Sequence, residues 1–453
     1  MKKIELVAPG GSLEKIEYAY HYGADAVYIG LPDFSLRARI NEFTDKKLEK
    51  AVKQARSLGK KIYFTLNIYA HERHLPKIKK HLKFIAKIKP DAVIVSDPGI
   101  LNMIKKLAPK IKIHLSTQAN TTNSEALKFW QKQGVKRIIL AREVTLDEIK
   151  KIKKACPKVE LEYFVHGAMC MSLSGRCLLS KWIRSRSANL GDCIQPCRWP
   201  YKINQKSKIK NQKFGIPQSG RDNLYIDDSK IMTIEEDEKG IYILNSKDLC
   251  LIEYLDKLKK SGVDSFKIEG RTKSAYYVAQ TTKAYRQVVN EIEAGKSGNE
   301  IKKIAKKYKI ELEKLTNRGY TTGFLLGKDR WENNLDCSHK SNEWQFVGEI
   351  ISQHELNRAR PVKFSDSVGE PSPVGFNGVK IHNALKEKEK IEIITPSEVL
   401  SDKVMEIKKM DGEKVKSAHG GSKNIYTVRL SRIYPEKSIL RKKGKAKSRI
   451  YSF

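Results

Sequence analysis

Four of the seven cysteines of this chain fall within one short segment, at Cys170, Cys177, Cys193 and Cys197, spaced C-x6-C-x15-C-x3-C. The segment reads HGAMCMSLSGRCLLSKWIRSRSANLGDCIQPCRWPY and follows directly on an apolar run, LEYFV. Four thiolates within reach of one another hold a soft metal centre, either zinc or an iron–sulfur cluster. The spacing matches neither a C-x2-C zinc ribbon nor a ferredoxin run, so it does not choose between them. Disulfides are disfavoured, because MKKIELVAPGG carries Glu5 and two glycines where a signal peptide needs a long apolar stretch. Cys156, Cys250 and Cys337 are scattered, as a reducing cytosol allows. The plain alternative is a set of ordinary buried free thiols.

A second set of chemistry-bearing residues ends apolar runs. Asn67 ends one, Asp97 the next, then Gln118 with Asn120, and Arg142 with Glu143. His166 ends the run before the cysteines, and Lys267, Glu269 and Arg271 leave the last. Polar residues close any strand, so each has an ordinary structural reading; gathered round one cavity, they line a site. His166, Glu143, Lys267 and Glu269 are the candidate catalytic groups. His166 suits a metal ligand, an acid–base group or a donor to sulfur, with a histidine satisfied by a loop carbonyl as the bland reading. Arg142 and Arg271 suit bidentate recognition of carboxylate or phosphate, with Asn67, Gln118 and Asn120 as further substrate contacts. No G-x-S-x-G and no H-E-x-x-H occurs, so the common serine-hydrolase and zinc-protease signatures are absent.

The elements that must position these residues alternate. Eight apolar runs (IELVAP, AVYIG, KIYFTLN, AVIVSDP, KIHLSTQAN, RIILARE, LEYFVHG and SFKIEGR) are separated by amphipathic stretches that open on Ser or Thr caps. Eight strand–helix units close a TIM-type (β/α)8 barrel. An open doubly wound sheet is the alternative, but no early strand is followed by G-x-G-x-x-G. The cysteines lie in an insertion of about 167–245 after strand 7, which emerges where barrel active sites are built. The barrel is expected over 1–297, with a helical connector over 298–343. Short alternating runs over 344–453 (FVGEII, RPVKFSD, GVKIHN, KIEIITP, KVMEIKKM and IYTVRLS) read as a small all-β barrel domain with the basic tail RKKGKAKSR.

The 453 residues carry a formal net charge of +36, with no run long enough to cross a membrane. Arg176, Lys181, Arg184, Arg186 and Arg198 crowd the cysteines, among them Trp182, Trp199 and Tyr201. Cations track phosphates and aromatic faces stack bases, so the mixture fits a nucleic acid. A plain lysine excess of composition is the bland reading.

The stretch EYFVHGAMCMSLSGRCLLS, followed by GDCIQPCRWPY, NSKDLC and SFKIEGRTKSAYY, resembles the peptidase U32 family. ELVAPGGSLEKIEYAYHYGADAVYIG and HLSTQANTTNSEA fit the same pattern, and the likeness extends over nearly the whole chain. Length and the appended β-domain resemble the family's tRNA branch. The resemblance implies a [4Fe–4S] cluster on Cys170, Cys177, Cys193 and Cys197, with Cys250 as an alternative fourth ligand. It implies a cytoplasmic enzyme hydroxylating the wobble uridine of tRNA to 5-hydroxyuridine with prephenate as cosubstrate. Arg142, Lys267 and Arg271 would then meet the two carboxylates, the β-domain and tail the phosphates. Tyr28, Trp182 or Trp199 would stack the base. A collagenase-like peptidase, a hydroxylase of another RNA and a noncatalytic RNA-binding scaffold remain as alternatives. The role of the cluster, the source of the oxygen and the electron donor stay open.

Overall fold

Apolar runs buried on both faces make parallel strands, and the capped amphipathic stretches between them make the helices that cover those strands. The computed structural model describes residues 3–35, 42–184, 186–199, 245–327, 332–334, 337–340, 342–359, 375–421 and 425–444. All eight runs are strands: β1 (Glu5–Pro9), β2 (Ala26–Gly30), β3 (Lys61–Leu66), β4 (Ala92–Val95), β5 (Lys112–Leu115), β6 (Arg137–Ile139), β7 (Glu160–Ala168) and, after β8 (Asp248–Cys250), β9 (Ser265–Ile268). Each of β1 to β6 pairs in parallel with the next, and β9 bridges β7 and β1, so the ring closes. This is the expected (β/α)8 barrel.

The helices follow their caps. The side chains of Ser12, Thr44, Asn123 and Thr145 accept backbone N–H groups at the starts of α1 (Leu13–His21), α2 (Asp45–Ser57), α5 (Ser124–Lys132) and α6 (Leu146–Ala155). Between α2 and α5 lie α3 (Leu75–Ile88) and α4 (Pro98–Leu107), whose Asp97 cap gives that residue a structural task. After α7 (Leu179–Arg184) and α8 (Leu255–Lys260), the barrel ends in α9 (Ala275–Glu293), and α10 (Gly298–Glu313) packs on it.

Residues 298–343 are more than a connector. Beyond α10, β10 (Tyr320–Thr321) adds to β8, which itself runs antiparallel to β7, so this stretch extends the barrel sheet at its mouth. The C-terminal unit is a seven-stranded antiparallel half-barrel. It is built from β11 (Trp344–Ile350), β12 (Phe376–Ile381), β14 (Lys390–Ile394), β15 (Val399–Lys403), β16 (Glu406–Lys408), β18 (Ile425–Arg429) and β19 (Ile439–Lys443), with β13 (Leu385–Lys386) and β17 (Ser417–Ala418) as a separate pair. Its edge strands β15 and β16 do not pair among the described residues, so the expected small all-β barrel domain takes the form of a half-barrel.

The half-barrel docks on the helices: the Tyr22 hydroxyl lies 2.8 and 2.9 Å from the carbonyls of Ile394 and Lys437, and Tyr276 stacks on Phe346. The basic tail needs correcting, because its first three residues are the end of β19. Arg441 is fully buried and pairs with Glu311 of α10 and Glu392 of β14, while Lys442 pairs with Glu389. Arg441 thus ties the half-barrel to α10, while Lys442 braces the half-barrel itself; residues 445–453 lie outside the described part, as do the 205–240 loop and the RPVKFSD run. Arg441→Ala leaves Glu311 and Glu392 with Lys314 as the cation they still pair with, an imbalance that should cost about 3 kcal/mol in denaturant unfolding. An unchanged midpoint would make the interface indifferent to this charge.

Candidate active site

Side chains at alternate positions of a barrel strand point inward, so each strand delivers a column of residues rising to the mouth. The floor is a buried charge network. Arg137 pairs with Glu5, Glu160 and Glu162, Tyr63 donates to Glu5 (2.8 Å), and Lys267 donates to Glu162 (2.6 Å). Lys267 is therefore inward, but one layer below the mouth and committed to a carboxylate; burial holds its ammonium below the ordinary lysine value against the pull of Glu162. It does not form a free anion pocket with Arg271.

Above this floor Tyr28 spans the barrel. Its ring lies 4.2 Å from the Lys267 ammonium, and its hydroxyl donates to Glu269 (2.9 Å). Tyr28 is only 3% exposed, which removes it as a base-stacking surface. Arg271 donates to the Thr65 hydroxyl (3.1 Å) beside the Tyr28 ring. Gly30 makes the space: a Cβ there would sit 2.5 Å from the Arg271 guanidinium nitrogen. Arg142 stacks over Phe164 at 4.2 Å and donates to the Ala168 carbonyl (2.8 Å), where the cysteine segment begins. Both arginines also bear electrostatically on Tyr28, so the rim unites Tyr28, Glu269, Arg271 and Arg142. Asn67 reaches Ser116 (3.4 Å), Gln118 is buried beyond it, Asn120 turns the chain with a φ of 52°, and Glu143 is half-buried after Arg142.

The cysteine segment is seated on this rim. Arg176 grips the Gln118 carbonyl through two nitrogens (3.2 and 2.7 Å) and lies over Tyr69. The Asn189 carbonyl accepts from Tyr69 N (3.1 Å), and its side chain accepts from Cys177 N (3.2 Å). Arg186 and Asp192 pair through both carboxylate oxygens, bracing the loop before Cys193. All four cysteines are free and partly exposed. Burial pushes the Cys197 thiol up, with Cys170 and Cys193 near enough to add to the effect. Among the described residues, no three His, Cys, Asp or Glu side chains converge closely enough to hold an ion. The donor set, four accessible thiols in one tethered segment, nevertheless fits a thiolate-bound group in kind. Trp199 is half-buried in this segment; the Trp182 side chain lies outside the described residues.

Two expected residues sit elsewhere. His166 points away from the mouth into the layer under α9, among Tyr277, Tyr285 and Tyr320, with the Tyr285 hydroxyl at 3.3 Å. Burial pushes its imidazole down to about 4. Cys250, opposite it on β8, lies 3.8 Å from the same hydroxyl and is pushed up to about 11 by burial. The juxtaposed thiol and imidazole are thus both neutral, the reverse of a nucleophilic thiolate–imidazolium pair, and Cys250 stands apart from the other four cysteines.

Because the folded-state pKa of His166 lies below its unfolded value near 6.5, its neutral burial favours folding above pH 6.5. That contribution, about 3 kcal/mol, is lost as pH falls through about 4. Unfolding free energies measured between pH 7 and 4 should fall, and the fall should shrink in His166→Phe. An identical pH slope in that variant would deny this burial.

Sequence reasoning missed the pair that supports the segment's start. Arg318, buried beside β10, binds Asp248 at 2.9 and 2.6 Å and reaches the Met169 carbonyl (3.4 Å) next to Cys170. It named Arg176 only as a cation suited to phosphate, not as a tether to Gln118, and missed Asn189. Each is a contact between segments distant in the chain, with no local signature.

Comparison with known proteins bears on what this rim does. The family model Peptidase family U32 matches residues 11–335. The chain is 38% identical over 449 residues to "tRNA hydroxylation protein P" of Haemophilus influenzae, covering 94% of this chain and 93% of that one. It is 40% identical over 393 residues to the Escherichia coli protein of the same name, covering 82% and 85%. It is also 32% identical over 335 residues to a "Collagenase" of Porphyromonas gingivalis, covering 72% and 74%.

Proposed function

This chain belongs to peptidase family U32, and from that membership we propose that it is a tRNA-modifying enzyme hydroxylating the wobble uridine to 5-hydroxyuridine. In this reading prephenate is the cosubstrate and Cys170, Cys177, Cys193 and Cys197 hold a [4Fe–4S] cluster. The observation that carries the proposal is the pair of relatives named for tRNA hydroxylation, aligned over more than four-fifths of both chains.

The rim supports it chemically. Arg142 and Arg271 present two guanidinium groups at the barrel mouth, a match for an anion with two carboxylates. Glu269, held by Tyr28, orients the Arg271 side of the rim, and Glu143 is the nearest half-buried carboxylate on the β6 side. A loop base splayed into the mouth meets Trp199 from the cysteine segment. When bound, the cluster would supply one-electron transfer. The net charge of +36 suits a polyanion, so tRNA binding should weaken steeply with salt. No described helix is long and apolar enough to cross a membrane, which accords with a cytoplasmic enzyme.

The relative named collagenase favours a peptidase as second reading. His166 and Cys250, both buried and neutral and each against the Tyr285 hydroxyl, give that reading no thiolate–imidazolium pair. The discriminating experiment is mass spectrometry of tRNA nucleosides from cells lacking the chain and any paralogue. Loss of wobble nucleosides derived from 5-hydroxyuridine supports the proposal; an unchanged profile, with collagen cleaved by the purified chain, favours the peptidase.

A further inference from the structure

Gln118 is an expensive residue to keep where it is. It is 2% exposed, yet neither its side-chain oxygen nor its side-chain nitrogen has a hydrogen-bond partner. Its backbone is held on both sides: the Ser116 hydroxyl accepts from Gln118 N (3.4 Å), and Arg176 clasps its carbonyl. Position is therefore fixed while the amide is left unused. A desolvated amide without partners opposes folding, since water satisfied both ends in the unfolded chain. A methionine of similar length would fill the same space without that cost.

Two further unpartnered groups stand nearby on the same rim. The Thr121 hydroxyl is fully buried, and its carbonyl accepts from Ala141 N (3.4 Å), beside Arg142, whose Nε is also buried without a partner. A series of buried polar residues leads up to them, His114 in β5, then Ser116 just past its end, and then Gln118. The group that satisfies all of this must offer a donor and an acceptor side by side. A carboxylate uses only the amide's N–H, and an ammonium only its oxygen. The N–H/C=O edge of a pyrimidine ring uses both, as Gln does with base edges generally.

We propose that Gln118 reads the N3–H/O4 edge of the target uracil, with Thr121 and the Arg142 Nε completing the base pocket; the assignment rests on the uridine-hydroxylase reading above. Because Gln118 is 2% exposed and Arg176 of the cysteine segment clasps its carbonyl, the assignment requires that segment to move aside for the base.

The test compares wild type with Gln118→Met on two anticodon stem–loops. One carries uracil at the target position; the other carries 2,4-difluorobenzene, which has uracil's shape without its hydrogen-bonding edge. Wild type should prefer uracil by about ten- to thirtyfold, two buried hydrogen bonds' worth, and Gln118→Met should bind both alike. The melting temperature of Gln118→Met should be unchanged or higher, because two unpaired polar groups are removed. A retained uracil preference in Gln118→Met, or a melting temperature several degrees lower, overturns the assignment. Nucleoside analysis in a complemented deletion strain separates the two levels. If wild type restores hydroxylation and Gln118→Met restores it fully, only the assignment to Gln118 fails. If wild type itself restores none, the uridine-hydroxylase reading fails and takes this one with it.

Discussion

Replacing Cys170, Cys177, Cys193 or Cys197 with Ala is expected to turn a brown anaerobic preparation colourless. Wild type should carry about four irons and four sulfides per chain, as a cubane implies, and each variant almost none, because thiolate ligation holds the iron. Cys250→Ala should keep its full complement: that thiol is buried against Tyr285 of α9 and protonated. The contrast between Cys197→Ala and Cys250→Ala decides the fourth ligand. Stoichiometric zinc in a colourless wild-type preparation would replace the cluster with a structural metal, and iron retained in Cys197→Ala but lost in Cys250→Ala would move the ligand.

The second large effect is expected at the arginines of the rim. Arg142→Ala and Arg271→Ala should each weaken cosubstrate use ten- to a hundredfold, since a charge-assisted hydrogen bond contributes about 1.5–3 kcal/mol. Changing both should cost more than a hundredfold. Arg271→Lys should rescue only partly, because an ammonium cannot reproduce the planar fork, and Glu269→Gln should be milder than Arg271→Ala. Arg142 also holds the Ala168 carbonyl, so iron content must be measured beside hydroxylation. Full hydroxylation by both Arg→Ala variants would place the cosubstrate elsewhere.

Much of this architecture was legible because it is local. Eight apolar runs became eight strands, and Ser12, Thr44 and Thr145 cap the helices they were expected to start. What misled is register and distance. His166 was read as a mouth residue by following β7 to its end. A bulge between Phe164 and His166 inserts one residue, so His166 falls opposite Ile268 and turns outward under α9. Lys267 and Tyr28 both lie inside the barrel, at a depth that depends on Glu162 and Glu269, contributed by other strands. The basic string after Leu440 looked like a free tail by composition. Its partners, Glu311, Glu392 and Glu389, lie tens of residues away, and only the folded sheet brings them together.

The central claim is that this barrel mouth hydroxylates a tRNA uridine. It is tested most directly by expressing wild type and Arg271→Ala in a strain lacking the chain and any paralogue, then quantifying wobble nucleosides by mass spectrometry. The account predicts that wild type restores the 5-hydroxyuridine-derived nucleosides, whereas Arg271→Ala, folded and with wild-type iron content, restores at most a small fraction of them. A strain whose tRNA never lost these nucleosides, or one in which wild type fails to return them, would contradict it.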